Sequence, residues 1–100
     1  MSTSILAIGN TAATSSTVTV AAGAPVTIGL FTASSGPIPY LPSPILCDIA
    51  DPSVNWAQTG VILDSLNTTV LLIAPGDYRF RRPDYSAATP PGASVGIFRS

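Results

Sequence analysis

One hundred residues make one domain, large enough to bury roughly 65% of the surface its unfolded chain exposes without help from disulfides. Hydrophobic residues are 46% of the chain and charged residues only 9%, against about 25% charged in ordinary globular domains. A net charge of −1, with four arginines and no lysine, glutamate or histidine, argues against a nucleic-acid partner and removes the usual general bases, so neither an enzyme, a cofactor nor a small-molecule substrate is expected.

No charged side chain precedes Asp48, and all four arginines, Arg79, Arg81, Arg82 and Arg99, lie in the last quarter. A half this neutral and rich in Ser, Thr, Ala and Gly suggests surface covered by neighbouring subunits, hence a homo-oligomer. Met1 is followed by Ser2-Thr3-Ser4 and a short apolar run, which is neither a signal peptide nor a membrane span. No export and no membrane partner are expected. Residues 1–16 read as an arm or weak edge strand whose Ile5, Leu6 and Ile8 could meet a neighbour, and residues 17–100 as the domain proper.

Thr17-Val18-Thr19-Val20 alternates, 21–25 carries turn residues, and Val26-Thr27-Ile28-Gly29-Leu30-Phe31 alternates again. Two strands joined by a turn follow, with Val26, Ile28 and Leu30 facing the core. Residues 34–44 hold four prolines, which exclude a helix or central strand and favour an extended connection. Within it, Pro39-Tyr40-Leu41-Pro42 has PxxP spacing but no basic flank. Residues 45–49 form a strand, Asp51-Pro52-Ser53 turns, and residues 54–58 return, with Trp56 as a core anchor. Residues 60–66 read as a further strand, and Asn67 as the corner after it.

The most plainly written stretch is 68–82. A Val/Leu/Ile run over 69–74 is strand-length, Pro75-Gly76-Asp77 reverses it, and Asp77, Arg79 and Arg81 alternate with Tyr78 and Phe80, so the aromatics face in and the charges out. After the loop 83–93, residues 94–99 form a last strand with Val95 and Ile97 on one side. Seven or eight short strands without a helical period predict an all-β, antiparallel, Ig-like β-sandwich. The corner Pro75, Gly76, Asp77, Tyr78 and Phe80 resembles the tyrosine corner of Ig domains, with Phe80 where their second cysteine lies.

Few groups could carry chemistry. Cys47 stands alone and reads as a small buried hydrophobe, since no histidine can activate it. Asp48 and Asp51 are too sparse a set for calcium, and no metal site is expected. Arg79, Arg81 and Arg82, with Asp77 and Asp84, form the one charge cluster. It reads either as a solvated strand face or as an interface for an acidic partner surface, with Arg99 as a further candidate contact.

The half of the chain from residue 47 to 98 resembles small virion proteins of tailed bacteriophages. The resemblance rests on Val54-Asn55-Trp56, on residues 60–66, on residues 69–73, on Pro75-Gly76-Asp77-Tyr78-Arg79-Phe80-Arg81-Arg82-Pro83 and on Ser94-Val95-Gly96-Ile97-Phe98. It implies a capsid decoration or cement protein that is made in the bacterial cytoplasm and sits on the phage head, contacting the major capsid protein. The alternative is a ligand- or carbohydrate-binding Ig-like module, such as an adhesin, head-fibre base or tail component, with Trp56, Tyr40 and Tyr85 as an aromatic platform.

Overall fold

The computed structural model describes residues 2–33, 38, 40–51, 53, 55–86 and 94–100. Met1, residues 34–37 and 87–93, Pro39 of the PxxP spacing, Pro52 of the predicted turn and Val54 of the return strand lie outside them. Among the described residues nine strands follow in chain order: β1 Thr3–Gly9, β2 Ala13–Thr14, β3 Val18–Val20, β4 Val26–Phe31, β5 Ile45–Ala50, β6 Trp56–Leu63, β7 Thr69–Leu72, β8 Gly76–Arg82 and β9 Val95–Arg99.

Two antiparallel sheets pack face to face as a β-sandwich. Sheet 1 has the order β1-β9-β4-β7; sheet 2 has the order β2-β8-β5-β6, with β3 also paired to β8. Period two decides what lies between them. Ile5, Val26, Ile28, Leu30, Leu72, Val95 and Ile97 are buried from sheet 1, and Val18, Val20, Ile45, Cys47, Leu63, Tyr78 and Phe80 from sheet 2. Fully burying one such side chain, Phe80 for instance, contributes about 1.5–3 kcal/mol.

The corner behaves as its residues suggest. Tyr78 OH donates to Ala74 O at 2.8 Å, bridging the reversal between β7 and β8. Gly76 has φ +152°, and a side chain there would come within 3.1 Å of Ile49 Cδ1, so glycine serves both backbone and packing. The β4–β7 and β5–β8 pairs match an Ig-like core, while β9 lies beside β4 and β1, and β2 and β3 occupy the flank of β8.

Three details differ from expectation. The strands expected at 54–58 and 60–66 are a single strand, β6. Gly60 lets it continue by taking φ +86°, and pairing with β5 jumps from Leu46↔Ile62 to Asp48↔Gln58 across a bulge. Thr59 Oγ1 fastens the bulge, donating to Cys47 O at 3.1 Å and accepting from Val61 N at 3.1 Å.

The end of the segment expected to be an arm or weak edge strand contains β2. Its Ser15 joins the sandwich layers: Ser15 N donates to Phe80 O at 2.8 Å, Phe80 N to Ser15 Oγ at 2.9 Å, and Ser16 N to Ile5 O at 2.9 Å. Residues 3–16 pack into the sandwich, and of the two readings of this segment β1 takes that of an edge strand, paired with β9 from Thr3↔Arg99 to Gly9↔Val95. Finally, Trp56 is no core anchor. It opens the edge strand β6 opposite Ala50 and is half-buried, because that register turns it to the outer side of sheet 2.

Candidate functional site

The outer faces of the two sheets differ in chemistry. On sheet 2, alternation along β8 turns Asp77, Arg79 and Arg81 outward, and the register sets Asp48 of β5 opposite Arg79. Asp48 Oδ2 lies 3.1 Å from Arg79 Nε and 2.6 Å from Arg81 Nε, and Oδ1 accepts from Arg81 Nη2 at 3.1 Å. The carboxylate is shielded, with its side chain 3% exposed, while those of Arg79 and Arg81 remain 30% and 42% exposed. One buried acid shared by two guanidiniums leaves the cluster a net positive charge, and burial strengthens each bond relative to a fully solvated pair.

The Arg79 guanidinium carbon sits 4.5 Å from the centre of the Trp56 ring, a cation–π stack worth about 0.5–1 kcal/mol at an exposed site. Beyond Arg81, an open hollow of about 450 Å³ is bounded by Thr14, Leu46, Arg82 and Pro83. Across the sheet, Thr19 Oγ1 donates to Asp77 Oδ1 at 2.8 Å.

Sheet 1 carries a single charged residue in its strands, Arg99, at the end of β9. Arg99 is in register with Thr3 and Ile28, and its Nε donates to Ser100 O at 3.2 Å. The outward positions of β4 and β9 are two glycine–phenylalanine pairs in register, Gly29↔Phe98 and Phe31↔Gly96. Each ring lies over the opposing glycine. A Cβ at Gly96 would meet Phe31 Cε1 at 2.7 Å and the Leu6 carbonyl oxygen at 2.8 Å, and one at Gly29 would collide with the Phe98 ring. The two rings meet edge to face with centres 6.2 Å apart. Ser2 and Ser4 rim a shallow hollow of about 300 Å³ beside them.

Arg82 stands apart from both faces. Its sequence neighbours suggest an interface arginine, yet it is buried: its Nε donates to Thr11 O at 2.8 Å, and its Nη1 to Ala7 O at 3.0 Å and Val95 O at 2.8 Å. One guanidinium at the end of β8 thus ties sheet 2 to β1 and β9 of sheet 1. Burial pushes it below the ordinary arginine value, with Tyr85 pulling the other way. Ile5 is likewise a core residue and Leu6 packs against the core, because β1 is part of the sheet; of the three apolar residues proposed there for an interface, Ile8 is the exposed one.

The aromatic platform of the ligand-binding alternative does not assemble. Tyr40 is exposed, whereas Tyr85 is buried and donates its hydroxyl to Ser43 O at 2.6 Å. Burial pushes the Tyr85 phenol up to about 12.

All five aspartates have protein partners. Asp51 Oδ1 accepts from Ser53 N and Asn55 N at 2.9 and 2.8 Å, Asp64 Oδ1 from Leu66 N and Asn67 N at 2.9 and 2.8 Å, and Asp84 Oδ1 from Ser86 N and Oγ at 2.9 and 2.6 Å. The Ser86 bonds hold the Asp84 carboxyl below its usual range. Asp48 and Asp51 are thus a salt-bridge acid and a turn cap, and among the described residues no group of three or more His, Cys, Asp or Glu could hold a metal. Burial raises the Cys47 thiol, which matches an inert core residue.

Asp48 is the position in the charge cluster that sequence reasoning undervalued. Ile45, Cys47 and Ile49 facing in would have put Asp48 outward beside the arginines of β8. The glycine–phenylalanine pairs had no such signal, since they need the register of β4 against β9. Comparison of the chain with protein-family models, with curated proteins and with solved structures returned no match.

Proposed function

We propose that this chain is a structural subunit of a virion, a decoration or cement protein on the outer surface of a tailed-phage head, bound to the major capsid protein. The observation that carries the reading is the outer face of sheet 1. Gly29 and Gly96 let Phe98 and Phe31 lie close against the sheet, and the rest of that face is hydroxyl or apolar: Ser4, Thr27, Thr69 and Leu71. Uncharged and partly apolar surface suits burial against a larger protein surface, where charged groups would have to be desolvated. The Asp48–Arg79–Arg81 cluster on the opposite face, already internally paired, is then free to remain in water.

Co-sedimentation with emptied heads of a tailed phage that carries this chain tests the reading. The wild-type protein should coat the heads, and Ser4→Lys, which places a charge beside Phe98, should reduce occupancy at least tenfold while leaving the fold intact by circular dichroism. Heads that stay bare in the presence of folded protein would overturn it, and a glycan or peptide screen on the monomer would then take up the binding-module alternative.

A further inference from the structure

A sheet edge offers unpaired N–H and C=O groups to any other strand, and proteins blunt such edges with bulges, charges or short strands. This sandwich does so at three of its four edges. The pairing of β1 with β9 is broken by register shifts at Ser4/Leu6 and Leu6/Gly9, β6 carries the Gly60 bulge, and the far side of β8 is covered by the short, separate strands β2 and β3. The fourth, β7, is a four-residue strand with neither bulge nor charge, and among the described residues no strand pairs with its far side. It runs in unbroken register with β4 from Val26↔Leu72 to Gly29↔Thr69.

The surface of β7 is also apolar. Leu71 is 53% exposed, Ile73, just past the strand, 64%, and Leu66, in the preceding turn, is nearly fully exposed. No charged residue lies between Asp64 and Asp77. Leu30 N donates to Thr68 O, so residues 68, 70 and 72 turn their backbone groups toward β4, and alternation leaves those of Thr69 and Leu71 directed at the open edge.

We infer that β7 is the contact between two copies of this chain, joined antiparallel about a two-fold axis at Leu71 so that sheet 1 continues across the dimer. A two-fold strand pair requires self-complementarity, since each residue meets its own kind or its mirror position. β7 meets that requirement. Leu71 would face Leu71 of the second copy with reciprocal N–H···O=C bonds, and Thr69 would face Ile73. A neutral edge places no like charges opposite each other, and it offers nothing to attract a charged foreign strand. A four-residue strand offers a short contact, so the expected dimer is reversible and concentration-dependent. This inference does not rest on the virion reading, because it concerns the free protein in solution.

Sedimentation equilibrium of the full chain, from dilute to concentrated solution, should show a monomer–dimer equilibrium that Leu71→Lys weakens at least tenfold. In Leu71→Cys, the two sulfurs should be captured by a short bis-maleimide, because directly opposed strand residues have Cα atoms about 5.5 Å apart. Gln58→Cys on the β6 edge should not be captured, and the buried native Cys47 should not react. A chain that stays monomeric with no capture at Leu71→Cys would overturn the inference. So would an oligomer that Leu71→Lys leaves unchanged.

Discussion

The two sheets solve the problem of an outward face in opposite ways. Sheet 2 sets charge against charge and buries the acid, so that Asp48 is held by Arg79 and Arg81 and Trp56 stacks on the first of them. Sheet 1 has almost no charge and instead sets large against small, with each phenylalanine resting on a glycine of the neighbouring strand. The first arrangement holds its acid between two guanidiniums, with only Arg81 Nε, 2.6 Å from Asp48 Oδ2, off hydrogen-bond geometry; the second leaves a surface with no charged partners of its own. Under the proposed function, binding surface is therefore sought on sheet 1, although the arginines of sheet 2 draw the eye in the sequence.

The largest effect is expected where the two sheets are joined. Arg82→Met should cost about 3 kcal/mol or more in urea unfolding, since it strands the carbonyls of Ala7, Thr11 and Val95 in the interior. If the loss is under about 1 kcal/mol, typical of exposed arginines, the tie is not structural.

Next comes the charged face. Replacing both Arg79 and Arg81 with alanine should destabilise the fold by about 3 kcal/mol, because a buried carboxylate is left without a partner. Replacing Asp48 with alanine should cost less, about 1–2 kcal/mol, since the two arginines can turn to water. The double arginine substitution is thus a poor probe of partner binding alone, although alternation on β8 recommends it. Equal losses in the two variants would contradict a buried, shared acid.

On the uncharged face, Gly96→Ala should cost about 2 kcal/mol and Gly29→Ala about 1 kcal/mol, both within the range of overpacking. At Gly96 the new methyl meets the Leu6 backbone as well as the Phe31 ring, whereas at Gly29 the nearest atoms belong to the Phe98 ring, which can move. A reversed order, measured by the same unfolding experiment, would show that the ring at Phe98 is the more rigidly held.

The smallest change concerns pH. Tyr85 titrates near 10 when unfolded and about 12 when folded. Stability from its protonated phenol is complete below pH 10 and is lost as pH rises toward about 12, because the unfolded chain releases its proton first. The raised value of Tyr78 acts in the same direction. Tyr85→Phe should flatten that alkaline decline and cost about 1 kcal/mol at neutral pH for the lost bond to Ser43 O. An unaltered alkaline profile in Tyr85→Phe would assign the decline elsewhere.

The strands could be read from the sequence wherever one face is apolar and the other polar, as in β4, β8 and β9, because a period of two is a local property. The Pro75-Gly76 reversal and the inward Tyr78 and Phe80 followed from the same local chemistry. What could not be read depends on residues distant in the chain. Alternation on β8 already sets Arg82 on the inward face with Tyr78 and Phe80, but its charge reads as an exposed one, and the carbonyls that hold it inside, such as that of Ala7, 75 positions away, are distant in the chain. Trp56 had the bulk of an anchor but stands on an edge strand turned to the outer side. The 54–66 segment was divided at Gly60 because a glycine in a strand looks like an ending, whereas a bulge uses it to continue.

The Arg82 tie also bears on how the molecule opens. An edge strand such as β1 would ordinarily fray on its own, its amides exchanging with solvent through brief local excursions. Here, peeling β1 away also strips Ala7 O from a guanidinium that shares the same nitrogen with Val95 O of β9, and it exposes a charge whose burial depends on both. The edge is therefore expected to open with the whole domain, and its amide protons should exchange at the slow rate set by global unfolding.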